Sequence, residues 1–139
     1  MSQNAEMILN SSENQVLEFL FYWKRAIRPG DLKKELNIKH TTLNSILARL
    51  EEKNVITWKK YGPVSLTDAG RKSASHLTSH HLIIEYYLRK TLKIPDEVAH
   101  KEALHMANTF SCELIEAICT KYNISQNEFH PTFCNQREY

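Results

Sequence analysis

Glycine and proline are scarce in this chain of 139 residues, with 3 of the former and 4 of the latter. So few backbone-breaking residues argue against a fold built from many turns and favour helices joined by short connections. No apolar run approaches the ~20 residues a bilayer span needs. The opening MSQNAEMILN lacks the basic-then-apolar order of a secretory leader. Cysteine is scarce as well: Cys112, Cys119 and Cys134 cannot form a complete disulfide set, which fits a reducing compartment, and the expected location is the cytoplasm. There is no glycine-rich phosphate loop, internal repeat or low-complexity tract, and no dedicated nucleophile-and-base set. An enzyme is therefore not expected, and no catalytic residue is assigned.

What is present is an ordinary globular balance, 42% hydrophobic and 24% charged, enough for one compact domain or two small ones. The formal net charge of +2 says little, but its distribution says more. Residues 21–75 carry 12 Lys/Arg against 5 Asp/Glu, whereas residues 76–139 carry 6 against 8. A block of positive charge is the footprint of a polyanion-binding half. Six of the seven histidines (76, 80, 81, 100, 105 and 130) lie in the other half. The chain divides at about residue 75.

Ser12 and Gln15 form a capping-box pattern that opens a helix carrying Val16, Leu17, Leu20 and Phe21 inward and ending near 23–26. Pro29 suits a helix start, where its missing N–H is no loss. The short helix GDLKKEL follows, turns at Asn37, and gives way to TTLNSILARLEEK, with Leu43, Ile46, Leu47 and Leu50 on one stripe. VITWKKYGPVSLT reads as a hairpin, Val55–Trp58 and Val64–Leu66 flanking a KKYGP tip. Thr67 caps a helix running to about Leu92, which the Ser/Thr-rich stretch 73–79 is able to bend. After the break at Pro95, one long amphipathic helix is expected over Asp96–Lys121, carrying Val98, Ala103, Met106, Phe110, Leu114 and Ile118. From Asn127 there is little periodicity; a tail without regular structure is expected there, His130 and Cys134 included.

A short helix, a tight turn, a second amphipathic helix and a basic hairpin together make a winged helix-turn-helix. A helix fits the major groove, where its first turns reach base edges while Lys and Arg neutralise phosphates. The recognition stretch is KHTTLNSILAR, offering Lys39, His40, Thr41, Thr42, Asn44 and Ser45. Lys59, Lys60 and Tyr61 form the wing tip, and Arg28 and Arg49 are phosphate clamps. A lone basic helix is more often a solvated face; the ordered set of elements and the local charge surplus shift the balance to DNA.

In the second half, His81 and Glu85 are spaced i, i+4 and share a helix face, and His100 lies just past the Pro95 turn. Two imidazoles and a carboxylate suit Fe(II), Mn(II) or Zn(II). A structural His–Glu–His network is the plain alternative. Cys112 and Cys119 share a face and read as core residues, while His76 and His80 read as solvent-exposed.

The order of elements, the phrase GPVSLTDAGRKSA, the HHLIIEYYL helix and the AHKEALHMANTFSCELIEAI segment resemble the DtxR/MntR family of metal-dependent transcriptional repressors. The resemblance covers residues 13–122 and is strongest across the two later helical segments. The chain ends before the SH3-like third domain of longer members and looks like the shorter, two-part form. What the resemblance implies is a mainly α protein: a winged-helix DNA-binding domain over 1–75 and a helical metal-binding and dimerisation domain over 76–139. It implies a homodimer on palindromic operator DNA, with Phe110, Leu114 and Ile118 at the dimer surface. It also implies a divalent metal co-repressor, Fe(II) foremost, with Mn(II) or Zn(II) as alternatives. His81, Glu85 and His100 fall on the family's His–Glu–His site, and Glu18 is the better first-helix donor beside Gln15. The family's main activating ligands fall on Leu104, Ala107 and Asn108, which cannot reproduce them. Two rivals therefore stay open: a metal-independent winged-helix regulator responding to a small molecule or to thiol oxidation, and a protein-interaction winged helix.

Overall fold

The computed structural model describes residues 9–59 and 62–125. Among them are six helices and one two-stranded antiparallel sheet, so the protein is mainly α. The order is α1 (Ser11–Trp23), α2 (Pro29–Leu36), α3 (His40–Glu52), β1 (Ile56–Trp58), β2 (Val64–Leu66), α4 (Asp68–Leu92), α5 (Asp96–Met106) and α6 (Cys112–Tyr122).

With so little glycine, asparagine follows or closes α2, α3 and α6, while Lys24 (φ 68°) and Lys93 (φ 56°) follow α1 and α4. Asn37 closes α2 and Asn123 closes α6, each in the left-handed conformation at φ 54° and 56°, and each donates its backbone N–H to carbonyls of the last turn. Asn54, after α3, has φ 62°. Asparagine tolerates this region better than other side chains, so the turns close without glycine.

The chain divides into two compact units. One is residues 12–74. Its core is Val16, Leu17 and Leu20 of α1, Ile27, Leu32 of α2, the α3 stripe Leu43, Ile46, Leu47 and Leu50, and Val55, Ile56 and Val64. The hairpin pairs Ile56 with Leu66, Thr57 with Ser65 and Trp58 with Val64. Ile27 adds an isolated antiparallel bridge on the other side of β2, exchanging both backbone hydrogen bonds with Val64 at 2.9 and 2.7 Å. Thr67 caps α4: its Oγ1 accepts from Gly70 N at 2.9 Å and donates to Asn54 O at 2.8 Å. Gly70 is required where it stands, because a Cβ there would lie 1.8 Å from Val55 O. A buried carboxylate also belongs to this unit: Glu13 accepts from Arg49 Nε at 2.8 Å and Lys53 Nζ at 3.0 Å.

The other unit comprises residues 9–11 and 75–125 of the described chain. Ile83, Ile84 and Leu88 of α4 pack with Ala99 and Ala103 of α5 and Ile115, Ile118 and Cys119 of α6. α4 runs unbroken through residues 73–79 to Leu92 as one helix of 25 residues. One expectation needs correcting. The segment 96–121 is two helices rather than one. Thr109 Oγ1 donates to Met106 O at 2.9 Å, and Ser111 Oγ accepts from Leu114 N at 3.1 Å as the N-cap of α6. Short polar side chains thus compete with the helix for its own backbone groups and end it. Of the apolar residues along this segment, Val98 and Leu114 are each 44% exposed, while Ala103 and Ile118 are buried.

Candidate metal centre and nucleic-acid interface

Burying four apolar residues of α3 fixes which side faces water. Lys39, His40, Thr41, Thr42, Ser45 and Arg49 are exposed and Asn44 is half-buried, so the polar opening of the helix is presented outward. Asn44 Nδ2 and His40 Nε2 lie 3.1 Å apart, and Ser45 Oγ donates to Thr41 O at 3.2 Å; both contacts are local to α3. Arg28 and Lys59 are exposed, whereas Lys60 and Tyr61 lie outside the described residues. Arg49 also carries a structural role, because its Nε is committed to Glu13.

On α4, His81 and Glu85 lie one turn apart as their spacing requires. Glu85 Oε1 is 3.3 Å from His81 Nε2 and 3.4 Å from His100 Nδ1 of α5. The imidazole centroids are 4.7 Å apart. His81 is buried, Glu85 half-buried and His100 exposed. One ligand atom from each lies within 4.8 Å of the other two. Oxygen and nitrogen donors at about 2.0–2.2 Å from a tetrahedral ion stand about 3.3–3.6 Å apart. The residues present therefore fit a divalent ion in chemistry and spacing. Glu18 is on α1, half-buried, and belongs to neither of the two metal-capable groups found among the described residues.

The second such group is His76, His80 and Cys112. This corrects the reading of His76 and His80 as solvent-exposed: His80 is only 3% exposed and His76 is half-buried. Cys119 is a core residue as expected, but Cys112 is half-buried with its sulfur against imidazoles. Burial pushes the Cys119 thiol above its ordinary value, and Glu116 adds to the shift. The signal for the second group was in the sequence, since His76 and His80 repeat the i, i+4 spacing of His81 and Glu85. Its third member was hidden by the break before α6.

Residues 67–137 match the family model described as "Iron dependent repressor, metal binding and dimerisation domain". The chain belongs to the iron-dependent repressor family. This is the DtxR/MntR group of metal-responsive transcription regulators. An uncharacterised HTH-type transcriptional regulator of Methanocaldococcus jannaschii is 25% identical over 118 residues, covering 85% of this chain and 91% of that protein. Among solved structures, the manganese regulator SloR shares 20% identity at a TM-score of 0.72, covering 86% of this chain and 56% of its own. IdeR of T. acidophilum shares 20% at 0.63, covering 84% and 55%. A hypothetical protein of Sulfolobus solfataricus shares 21% at 0.64, covering 85% and 92%. At these identities the structures speak for the fold, and the chain spans about 56% of the length of SloR.

At the positions where the resemblance puts the family's main activating ligands, Ala107 is buried, Leu104 is apolar, and Asn108 Nδ2 donates to Leu9 O at 3.0 Å, so the amide is used as a structural tie.

Among the described residues, no helix is long and apolar enough to cross a membrane.

Proposed function

We propose that this chain is a cytoplasmic, iron-dependent transcriptional repressor that binds palindromic operator DNA as a homodimer. Residues 1–75 serve as the DNA-binding domain and 76–139 as the metal-binding and dimerisation domain. The observation that carries the reading is the convergence of His81, Glu85 and His100 in a chain whose α3 presents an exposed polar opening.

His81, Glu85 and His100 are the residues to hold the ion, with Glu18 a further candidate donor. When bound, a divalent ion supplies positive charge that neutralises Glu85 and ties α4 to α5. Fe(II) is the preferred ion, with Mn(II) or Zn(II) as alternatives, because two imidazoles and a carboxylate suit borderline divalent metals. Glu85 Oε1, set between the two rings, orients both imidazoles, and buried His81 anchors the group to the core side of α4.

On the DNA side, Lys39, His40, Thr41, Thr42, Asn44 and Ser45 face base edges and nearby backbone. Arg28, Arg49, Lys59, Lys60 and Tyr61 serve phosphates and the adjacent groove. Phe110, Leu114 and Ile118 supply the dimer surface; with Tyr87, Ala117 and Lys121 they line one shallow apolar depression, which supports this use. Two copies then set two recognition helices on half-sites a whole number of DNA turns apart.

The test is selection from random duplexes by the full chain, with Fe(II) under anaerobic conditions and again with chelator. A dyad-symmetric sequence bound at least tenfold more tightly with metal, with affinity falling steeply in salt, is expected. Affinity unchanged by chelation would favour a metal-independent regulator, which the loss of ligands at Leu104, Ala107 and Asn108 makes the leading rival. Weak, salt-insensitive binding would favour a protein-interaction winged helix.

A further inference from the structure

His80 and His81 are adjacent, so their side chains leave α4 about 100° apart. They feed different clusters. His76 Nε2 lies 3.3 Å from Cys112 Sγ, and His80 Nε2 lies 3.9 Å from the same sulfur. The two rings meet edge to face with centroids 4.1 Å apart. A tetrahedral ion with nitrogen at about 2.05 Å and sulfur at about 2.3 Å holds those donors about 3.6 Å apart. The two measured separations bracket that value. His80 is 3% exposed, so one donor is already removed from water. Cys112 is the first residue of α6, where the helix dipole favours an anionic ligand.

We propose that, once Cys112 is reduced, His76, His80 and Cys112 form a second metal site, separate from His81–Glu85–His100, that takes a zinc-class divalent ion. Two imidazoles with one thiolate are softer than two imidazoles with a carboxylate, so the two clusters prefer different metals. Three protein ligands leave one position for water or a further donor. In the structure Cys112 is disulfide-bonded. A dithiol reductant exchanges with that bond in two steps, becoming a cyclic disulfide as it delivers two electrons and two protons, and leaves two protein thiols. The Cys112 thiol then releases its proton as the sulfur binds the ion. Oxidation and metal thus compete for one sulfur, and the site is open only in the reduced chain. This inference stands independently of the repressor reading.

The test is anaerobic Co(II) titration of the full chain, reduced with a dithiol and then freed of it, watching the near-ultraviolet thiolate-to-cobalt charge-transfer band. The carboxylate site contains no sulfur and gives no such band. The reduced protein should develop the band to one equivalent, Zn(II) should abolish it by displacement, and the oxidised protein should lack it. Cys112→Ser should lose the band, and His80→Ala and the more exposed His76→Ala should each weaken the Co(II) affinity behind it at least tenfold. The same variants' far-ultraviolet circular dichroism without metal should match the wild type. His81→Ala, Cys119→Ala and Cys134→Ser should keep the band. No band in the reduced wild type, or one that survives Cys112→Ser, would overturn the proposal. So would loss of the band in Cys134→Ser, which would assign the sulfur to a different residue.

Discussion

Replacing Arg49 by alanine removes one of two cations that hold a buried carboxylate. Glu13 has a side chain only 2% exposed and accepts from Arg49 at 2.8 Å and Lys53 at 3.0 Å. A hydrogen bond to a charged group contributes about 1.5–3 kcal/mol. The Arg49 side chain is 44% exposed, so water already competes for the guanidinium and the loss belongs at the lower end, about 1–2 kcal/mol. Lys53 stays in place, so the 3–5 kcal/mol typical of a fully stripped buried charge is not reached. Trp23 and Trp58 are the chain's two tryptophans and both belong to the 12–74 unit, so their fluorescence in urea reads the unit that contains the triad. The midpoint should fall by about 0.5–1 M at unchanged slope. A cycle with Glu13→Gln should return a coupling of about 1 kcal/mol. An unchanged midpoint with coupling below about 0.3 kcal/mol would refute the reasoning. The result matters for function, because DNA binding lost in Arg49→Ala has to be separated from stability lost through Glu13.

Leu47, fully buried in α3, should cost about 2–5 kcal/mol when replaced by alanine, read by the same urea titration. Gly70→Ala forces a Cβ against Val55 O and should destabilise by about 1–3 kcal/mol or more, shown by a lower thermal midpoint. Cys119 carries a raised pKa, so the folded chain keeps a proton that the unfolded chain releases at alkaline pH. Its stabilising contribution is complete below about pH 8 and declines above about pH 9. Cys119→Ala should flatten that decline, and Cys119 in the native wild type should resist iodoacetamide at pH 8 while reacting in urea.

Much of the 12–74 unit was legible because its elements are short and closed by local signals. Pro29, Asn37 and Thr67 mark ends through backbone chemistry that needs no tertiary partner, and the α3 stripe follows from a 3.6-residue period. His81 and Glu85 were legible for the same reason, one helical turn apart, and His100 followed from the turn at Pro95. What failed were inferences that carried one helical phase too far. The Asn108–Ser111 break was hidden because those residues also tolerate a helix interior, so the segment reads as one helix. It also hid the approach of Cys112 to His76, 36 residues away in sequence, which spacing cannot reveal. The ion triad at Glu13 was equally unreadable, since an acidic residue in a first helical turn normally faces water. Lys60, Tyr61, His130 and Cys134 lie outside the described residues.

The most direct test of the central claim is anaerobic calorimetric titration of Mn(II) into the metal-free full chain, comparing wild type with His81→Ala. Mn(II) is chosen because it disfavours sulfur and so reads the carboxylate site. One equivalent bound by the wild type, weakened at least about hundredfold in a variant with unchanged circular dichroism, is the predicted result; altering even a ligand's hydrogen-bonding partner typically costs 10–100-fold. Equal binding by both proteins, or none by the wild type, would contradict it and leave His81, Glu85 and His100 as a structural network.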